Sequence, residues 1–187
     1  MIQREPRETD RNQPGQPAGE ASPPVVIRPM RGSDIEPVSK IERQSFSTAW
    51  NTQAYITELA NPAAVYLVAA IGDTVVGYCG QWVIMDESHI TTIAVIPELR
   101  GRRIGERLLC EMLRVCRQHG ATRATLEVRE TNIVAKTLYE KYGFKTVAAR
   151  KGYYSDNNEN ADIMWINDME DPEWWALFQR HRAALGM

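Results

Sequence analysis

Cysteine, histidine and phenylalanine are all scarce: the 187-residue chain has three of each. Three cysteines in this length do not make a disulfide framework. Cys110 and Cys116 stand six apart in a predicted helix, which is poor spacing for a shared metal. His89, His119 and His181 are scattered, with no pair at ligand spacing. No metal site is expected, and a reducing cytoplasm is the expected compartment. Neither sign of charge is in excess, since 22 basic against 24 acidic residues leave a net charge of −2. Bulk nucleic-acid binding usually shows as a strong basic excess, so no direct nucleic-acid partner is expected. Long apolar runs are missing as well. The longest, residues 63–71, falls far short of the roughly 20 residues that span a bilayer, and no membrane association is expected.

Proline is concentrated at the start. Residues 1–24 carry five of the ten prolines, seven charges and no aromatic residue. Such a stretch cannot bury enough apolar surface to offset its ordering entropy, so a disordered leader is expected over 1–24. It has no apolar h-region, and Glu5, Glu8, Asp10 and Glu20 against three arginines make it a poor transit peptide.

Order is expected from Val25. Val25–Ile27 reads as a short strand stopped by Pro29. Ser33 and Glu36 form a capping-box pattern that opens a helix with Val38, Ile41 and Phe46 inward. A second helix starts at about Asn51 and ends before Asn61-Pro62. Residues 64–71, 74–85 and 88–95, with short polar links, predict an antiparallel meander. From Arg102 to His119 the period becomes helical, with Ile104, Leu108, Met112 and Val115 on one face. Thr125–Val128 reads as a strand. Residues 133–142 read as a helix with Val134, Leu138 and Tyr142 on one side. Residues 144–149 and 161–166 predict two more strands around a polar loop. The expected organisation is one domain over 25–168 and an amphipathic helix over 169–187.

The most informative stretch runs from Val95 to Leu109. A strand enters a basic, glycine-containing turn, and the turn opens a long amphipathic helix. Backbone N–H groups at a helix N-terminus, with the positive end of the dipole behind them, attract anions. Gly101 and Gly105 let that backbone come close to a ligand. Arg100, Arg102 and Arg103 add charge where phosphates would sit. The alternative is a solvated basic turn that only caps a helix.

These residues resemble the GNAT superfamily of acetyl-CoA-dependent N-acetyltransferases. Its signature is a strand ending in hydrophobic-x-Val-x-Pro, then Arg/Gln-x-x-Gly-x-Gly/Ala and a helix. Arg100 and Gly105 match the first and last positions, while Arg103 stands where the family usually has its first glycine. Ile93-Ala94-Val95, Leu126-Glu127-Val128-Arg129, Asn132, Leu138-Tyr139-Glu140, Gly143-Phe144 and Tyr153-Tyr154 resemble the branch that acetylates protein N-termini. Within it they are most similar to the bacterial enzymes acting on the N-terminal alanine of a small-subunit ribosomal protein. The resemblance covers residues 25–168. It implies an α/β (α+β) fold: a mixed, mostly antiparallel seven-strand sheet with helices on both faces. It implies acetyl-CoA as co-substrate and a protein N-terminus as acceptor. It further implies that Ile93, Ala94 and Val95 on a splayed strand hold the pantetheine and thioester. Gly101, Arg102, Arg103, Ile104, Gly105 and Glu106 would cradle the pyrophosphate, and Asn132 would touch coenzyme A. Glu127 would be the proton acceptor and Tyr139 the proton donor. Trp50, Tyr153 and Tyr154 would wall the acceptor site.

The chemistry suits these residue types. An α-amine with a pKa of about 7.7–8.0 is roughly one-tenth neutral at pH 7, whereas a lysine at about 10.4 is almost wholly charged. A carboxylate, acting directly or through a water, is therefore base enough for an α-amine. Strand alternation puts Leu126 and Val128 on one face and Glu127 on the other. Each assignment has a plainer alternative. Glu127 could be a solvated strand residue, Asn132 a helix N-cap, and Tyr139, Trp50, Tyr153 and Tyr154 core. Cys110 and Cys116 read as packing residues rather than nucleophiles. Two other functions stay open: acetylation of a lysine or small amine, and a coenzyme-A-binding module without catalysis. The second is disfavoured by the retention of Glu127 and Tyr139. Trp174, Leu177, Phe178, His181 and Leu185 form an apolar stripe that either docks on the domain or meets a partner.

Overall fold

The computed structural model describes residues 23–187; the stretch expected to be a leader lies outside them except for Pro23 and Pro24. Seven strands form one sheet in the order β1-β2-β3-β4-β5-β7-β6. The strands are β1 (Val25–Pro29), β2 (Ala64–Ile71), β3 (Thr74–Ile84), β4 (Glu87–Val95), β5 (Arg123–Arg129), β6 (Lys145–Tyr154) and β7 (Glu159–Ile166). Every neighbouring pair is antiparallel except β4–β5. The helices are α1 (Ile35–Ser45), α2 (Thr52–Ala60), α3 (Ile104–Gln118), α4 (Ile133–Lys141) and α5 (Pro172–Ala184). The parallel pair is possible because α3 carries the chain back across the sheet, as a parallel connection requires.

Side-chain alternation divides the interior into two clusters. On β3, Tyr78 faces Val38, Ile41 and Tyr55 of α1 and α2, while Cys79 faces Leu108, Leu109 and Met112 of α3. Tyr142, Phe144, Trp174, Phe178 and Leu185 join the α3 side, so the C-terminal helix packs on the domain's own core. The sheet is thus covered on both faces, which fixes its register: a one-residue slip would exchange the two clusters. Gly77 lets α3 approach, since a Cβ there would lie 2.9 Å from the Ala94 carbonyl and 3.2 Å from Leu108.

Several local expectations are corrected. Pro29 does not stop β1 but ends it, paired with Leu67; β1 is an edge strand, where a missing N–H is tolerated. The Ser33–Glu36 capping box is replaced by Asp34. Its carboxylate accepts from the Arg31 N–H at 2.8 Å and from both terminal nitrogens of Arg28 at 2.6 and 2.9 Å. A buried carboxylate with a bidentate arginine outcompetes a serine hydroxyl for the same turn. Phe46 is exposed, because α1 ends before it and the chain turns extended there. Val134 is also exposed, and the inward side of α4 is Ala135, Leu138, Tyr139 and Tyr142. β6 runs to Tyr154, longer than expected, so Tyr153 and Tyr154 lie on a strand beside a short turn.

Candidate active site

The sheet opens where β4 and β5 part. The β4–β5 ladder runs only from Glu87–Arg123 to Ile90–Leu126, whereas β4 stays paired with β3 up to Val95–Gly77. Between Ile90 and Thr92 the β3–β4 register skips a residue, leaving Thr91 as an extra residue in β4. Such a bulge bends the strand, and β4's pairing with β5 ends at this point while that with β3 continues. The Ile96 N–H bonds to the Val76 carbonyl. By antiparallel alternation the backbone of Ala94 also faces β3, and the backbone groups of Ile93 and Val95 face the opened side. The Val95 carbonyl is taken by Arg100 Nε at 3.0 Å, which leaves its N–H. Ala94 is the exception among the three implied positions, with its side chain buried on the α1 side.

Glu127 is the first β5 residue beyond the end of that ladder. Leu126 and Val128 are buried against α3, and Glu127 lies on the other face. His89 Nε2 stands 2.7 Å from Glu127 Oε2, and Arg150 lies 3.6 Å from Oε1. The hydrogen bond from His89 and the two positive neighbours hold the Glu127 carboxyl below its usual range, against the opposing effect of burial. The same hydrogen bond raises the His89 imidazole, again against burial. The two groups form a coupled pair, with His89 the more readily protonated member and Glu127 held as the carboxylate.

Tyr139 lies on the inward side of α4, its ring 5.9 Å from Phe144. Burial pushes its phenol well above the ordinary value, with smaller contributions from Tyr154 and Cys79. It is a neutral donor over the whole working pH range, and among the described residues its hydroxyl has no hydrogen-bond partner. Tyr154 is pushed up to about 12, chiefly by burial, and lies within electrostatic reach of Glu127. Tyr154 thus lies within electrostatic reach of both Glu127 and Tyr139.

The β6–β7 turn closes one rim of this region. Arg129 reaches Asp156 at 2.8 Å and Glu159 at 3.0 Å and lies over the Tyr154 ring at 3.9 Å. Ser47 donates to Asp156, tying the α1–α2 loop to the turn. Trp50 sits on that loop and Tyr153 and Tyr154 on β6, so the bridge joins the two segments expected to wall the acceptor. Trp50 and Tyr153 are partly exposed, as surfaces for a peptide must be. The Trp50 N–H donates to Glu42 at 3.1 Å, and the Tyr78 hydroxyl also bonds to this buried carboxyl, whose value burial raises.

The turn from Gly101 to Glu106 builds the other half. Gly101 and Arg103 both have left-handed backbone, with φ of 75° and 61°. The N–H groups of Ile104, Gly105 and Glu106 have no acceptor among the described residues, as expected at a helix start. A Cβ at Gly105 would touch only Val95, at 3.8 Å, so no protein neighbour demands glycine there. Open space and free donors at a positive helix end fit a phosphate. Ile104 buries its side chain and contributes only backbone. The Glu106 carboxylate turns inward; burial opposes its charge, but Arg103 and Lys141 outweigh that and hold it low. Arg102 is exposed on the turn. Asn132 caps α4, with its Oδ1 accepting from the Ala135 N–H at 3.2 Å, which leaves only its amide nitrogen for a ligand. Cys110 and Cys116 are buried, and burial pushes both thiols up to about 11, which suits packing rather than attack.

Sequence reasoning missed His89, Arg150 and Glu42. His89 was readable as a polar residue in an apolar strand. What made it significant is the parallel register that sets His89 opposite Thr125, two residues from Glu127. No local pattern encodes that register, since α3 intervenes.

The profile of the Acetyltransferase (GNAT) family matches residues 35–144. A Bacillus subtilis protein provisionally named [ribosomal protein bS18]-alanine N-acetyltransferase is 43% identical over 143 residues, 76% of this chain and 95% of its own length. The N-alpha-acetyltransferase RimI of Mycobacterium tuberculosis is 36% identical over 155 residues, 80% of this chain and 96% of its own. Among solved structures, the ribosomal-protein-S18-alanine N-acetyltransferase of Escherichia coli superposes with a TM-score of 0.71 at 24% identity. It covers 76% of this chain and 92% of that one.

Proposed function

The chain belongs to the Acetyltransferase (GNAT) family, and from that premise we propose that it acetylates the N-terminal α-amine of a protein. The relatives' names point to the N-terminal alanine of ribosomal protein bS18 as acceptor, which would place the reaction in the cytoplasm. Bound acetyl-CoA would supply the activated acetyl thioester. The free N–H groups of Ile104, Gly105 and Glu106 would hold its pyrophosphate, and the Asn132 amide would donate to its pantetheine arm.

The observation that carries this reading is the Glu127–His89 pair at the point where β4 and β5 part. Glu127 takes the proton of the acceptor amine, directly or through one water, as its nitrogen bonds to the acetyl carbon. His89 orients the Glu127 carboxylate through their 2.7 Å hydrogen bond and helps keep it ionised, so that it is free to accept a proton. The Ile93 and Val95 N–H groups face the opened side, where the thioester oxygen gains charge. Tyr139 donates a hydrogen bond to the sulfur as the carbon–sulfur bond breaks. Full proton transfer from so weak an acid is uphill, so its contribution is to stabilise the departing thiolate. An ionised carboxylate is base enough for an α-amine, and the partly exposed Trp50 and Tyr153 suit a peptide acceptor.

Incubation with acetyl-CoA and a peptide beginning Ala-Arg, a blocked lysine peptide, or spermidine tests this, with release of free thiol as the measure. Thiol release is expected with the α-amine peptide. Release only with the lysine peptide or spermidine would overturn the acceptor assignment, and none with any acceptor would overturn catalysis.

A further inference from the structure

The family profile ends at residue 144, and α5 lies beyond it. α5 is seated on the end of α4. The Trp174 indole N–H donates to the Tyr142 carbonyl at 3.0 Å. A Cβ at Gly143 would come within 2.9 Å of the same ring, so only glycine permits this seat. Arg117 of α3 lies over Trp175 at 4.0 Å and reaches the Met169 carbonyl at 3.2 Å.

The far end of α5 meets the anion-binding turn. Arg103 Nη1 donates to the Ala184 carbonyl at 3.1 Å, and Arg107 Nη2 to the Leu185 carbonyl at 2.6 Å. Carbonyls at a helix C-terminus lack partners within the helix and carry partial negative charge, so two guanidinium groups are a matched complement. Arg103 Nε also donates to Glu106 Oε2 at 3.0 Å. Glu106 in turn is held by Lys141 at 2.6 Å and by the Tyr142 hydroxyl at 3.2 Å. The Arg103 guanidinium is therefore committed to α5 and Glu106. Its backbone is left-handed, which a side chain with a Cβ disfavours and glycine does not.

We propose that α5 frames the cofactor site: its C-terminus holds Arg103 in the left-handed conformation that aims the following N–H groups, so the C-terminal helix sets affinity for acetyl-CoA. Arg103 is then a positioning residue, and α5 does here what glycine does in the family signature. The proposal rests on the reading that residues 101–106 bind the pyrophosphate.

The full-length chain is compared with Arg103→Ala and Arg103→Gly by calorimetry with acetyl-CoA and by KM for acetyl-CoA and for acceptor peptide. Arg103→Ala loses the support yet still needs the left-handed backbone. Its acetyl-CoA affinity is expected to fall about tenfold, the scale of that conformational penalty, with peptide KM little changed. Arg103→Gly should lose distinctly less. Truncation after Asp168 should weaken acetyl-CoA by a similar factor, and Arg103→Gly within the truncated chain should recover most of it. Unchanged affinity in Arg103→Ala would overturn the proposal. So would an equal loss in both variants, which would make the guanidinium itself a phosphate contact, or unchanged affinity in a folded truncated chain. If truncation prevents folding, the alanine–glycine comparison decides alone. An unaltered chain that does not bind acetyl-CoA would refute the cofactor reading and this proposal with it; normal binding with indifferent variants refutes only this one.

Discussion

Glu127 can act as a base only while ionised, and its neighbours set the range over which it is. His89 and Arg150 keep its carboxyl below the ordinary value of 4.5, so it is charged at every pH where an α-amine is partly neutral. The Glu127→Gln change keeps the shape and removes the proton acceptor. It should lower turnover by about two orders of magnitude, as for positioned bases generally, with acetyl-CoA affinity little changed. The deficit should shrink between about pH 7 and pH 9.5, because more of the acceptor amine is then already neutral. A pH series of thiol release measures this, and a deficit constant over that range would remove Glu127 from the base role. Asn132 shows a different economy. Its oxygen caps α4, and only its amide remains for a ligand.

α3 carries two jobs along its length. Its first turn presents free N–H groups, and the following turns bury Leu108, Leu109, Met112 and Leu113. Gly105 is the place where the two can be separated, because proline is tolerated in a first turn and a Cβ there meets only Val95, at 3.8 Å. Gly105→Pro removes one donor without removing a helical hydrogen bond. A hydrogen bond to a charged group contributes about 1.5–3 kcal/mol, so acetyl-CoA affinity should fall by roughly tenfold or more. Calorimetry on the folded variant checks this, and unchanged affinity would sink the pyrophosphate assignment. The β4–β5 pair is the other element with a double role. Its short ladder holds the sheet together at one end and releases it at the other.

Over the whole molecule, pH acts through groups shifted in opposite directions. Asp34, Glu106 and Glu127 are held below their ordinary values, so their contribution is present above their unfolded pKa and lost as pH falls through the folded one. His89 is raised above 6.5, so its contribution is complete below that value and lost as pH rises through the folded one. The Glu127–His89 pair therefore stabilises most between its two unfolded values, 4.5 and 6.5. Denaturant titration of the unaltered chain and of His89→Gln should show their largest difference near about pH 5.5, shrinking on either side. A difference that grows steadily toward pH 8 would contradict the pairing.

The sequence by itself determined the elements and the kind of chemistry. Strand alternation placed Glu127 opposite Leu126 and Val128, and helical period marked α3, because both depend on side-chain spacing along one segment. The turn proposed to bind the pyrophosphate was readable for the same reason: its glycines, arginines and helix start are contiguous. Only the tertiary structure decided which residues meet across segments. The parallel register brings His89 to Glu127, a bridge from Ser47 to Asp156 joins the α1–α2 loop to the β6–β7 turn, and Arg103 turns to the end of α5 rather than outward. These depend on contacts between residues from 38 to 109 positions apart. Local sequence carries no signal for such contacts, because they are selected by packing the two faces of one sheet.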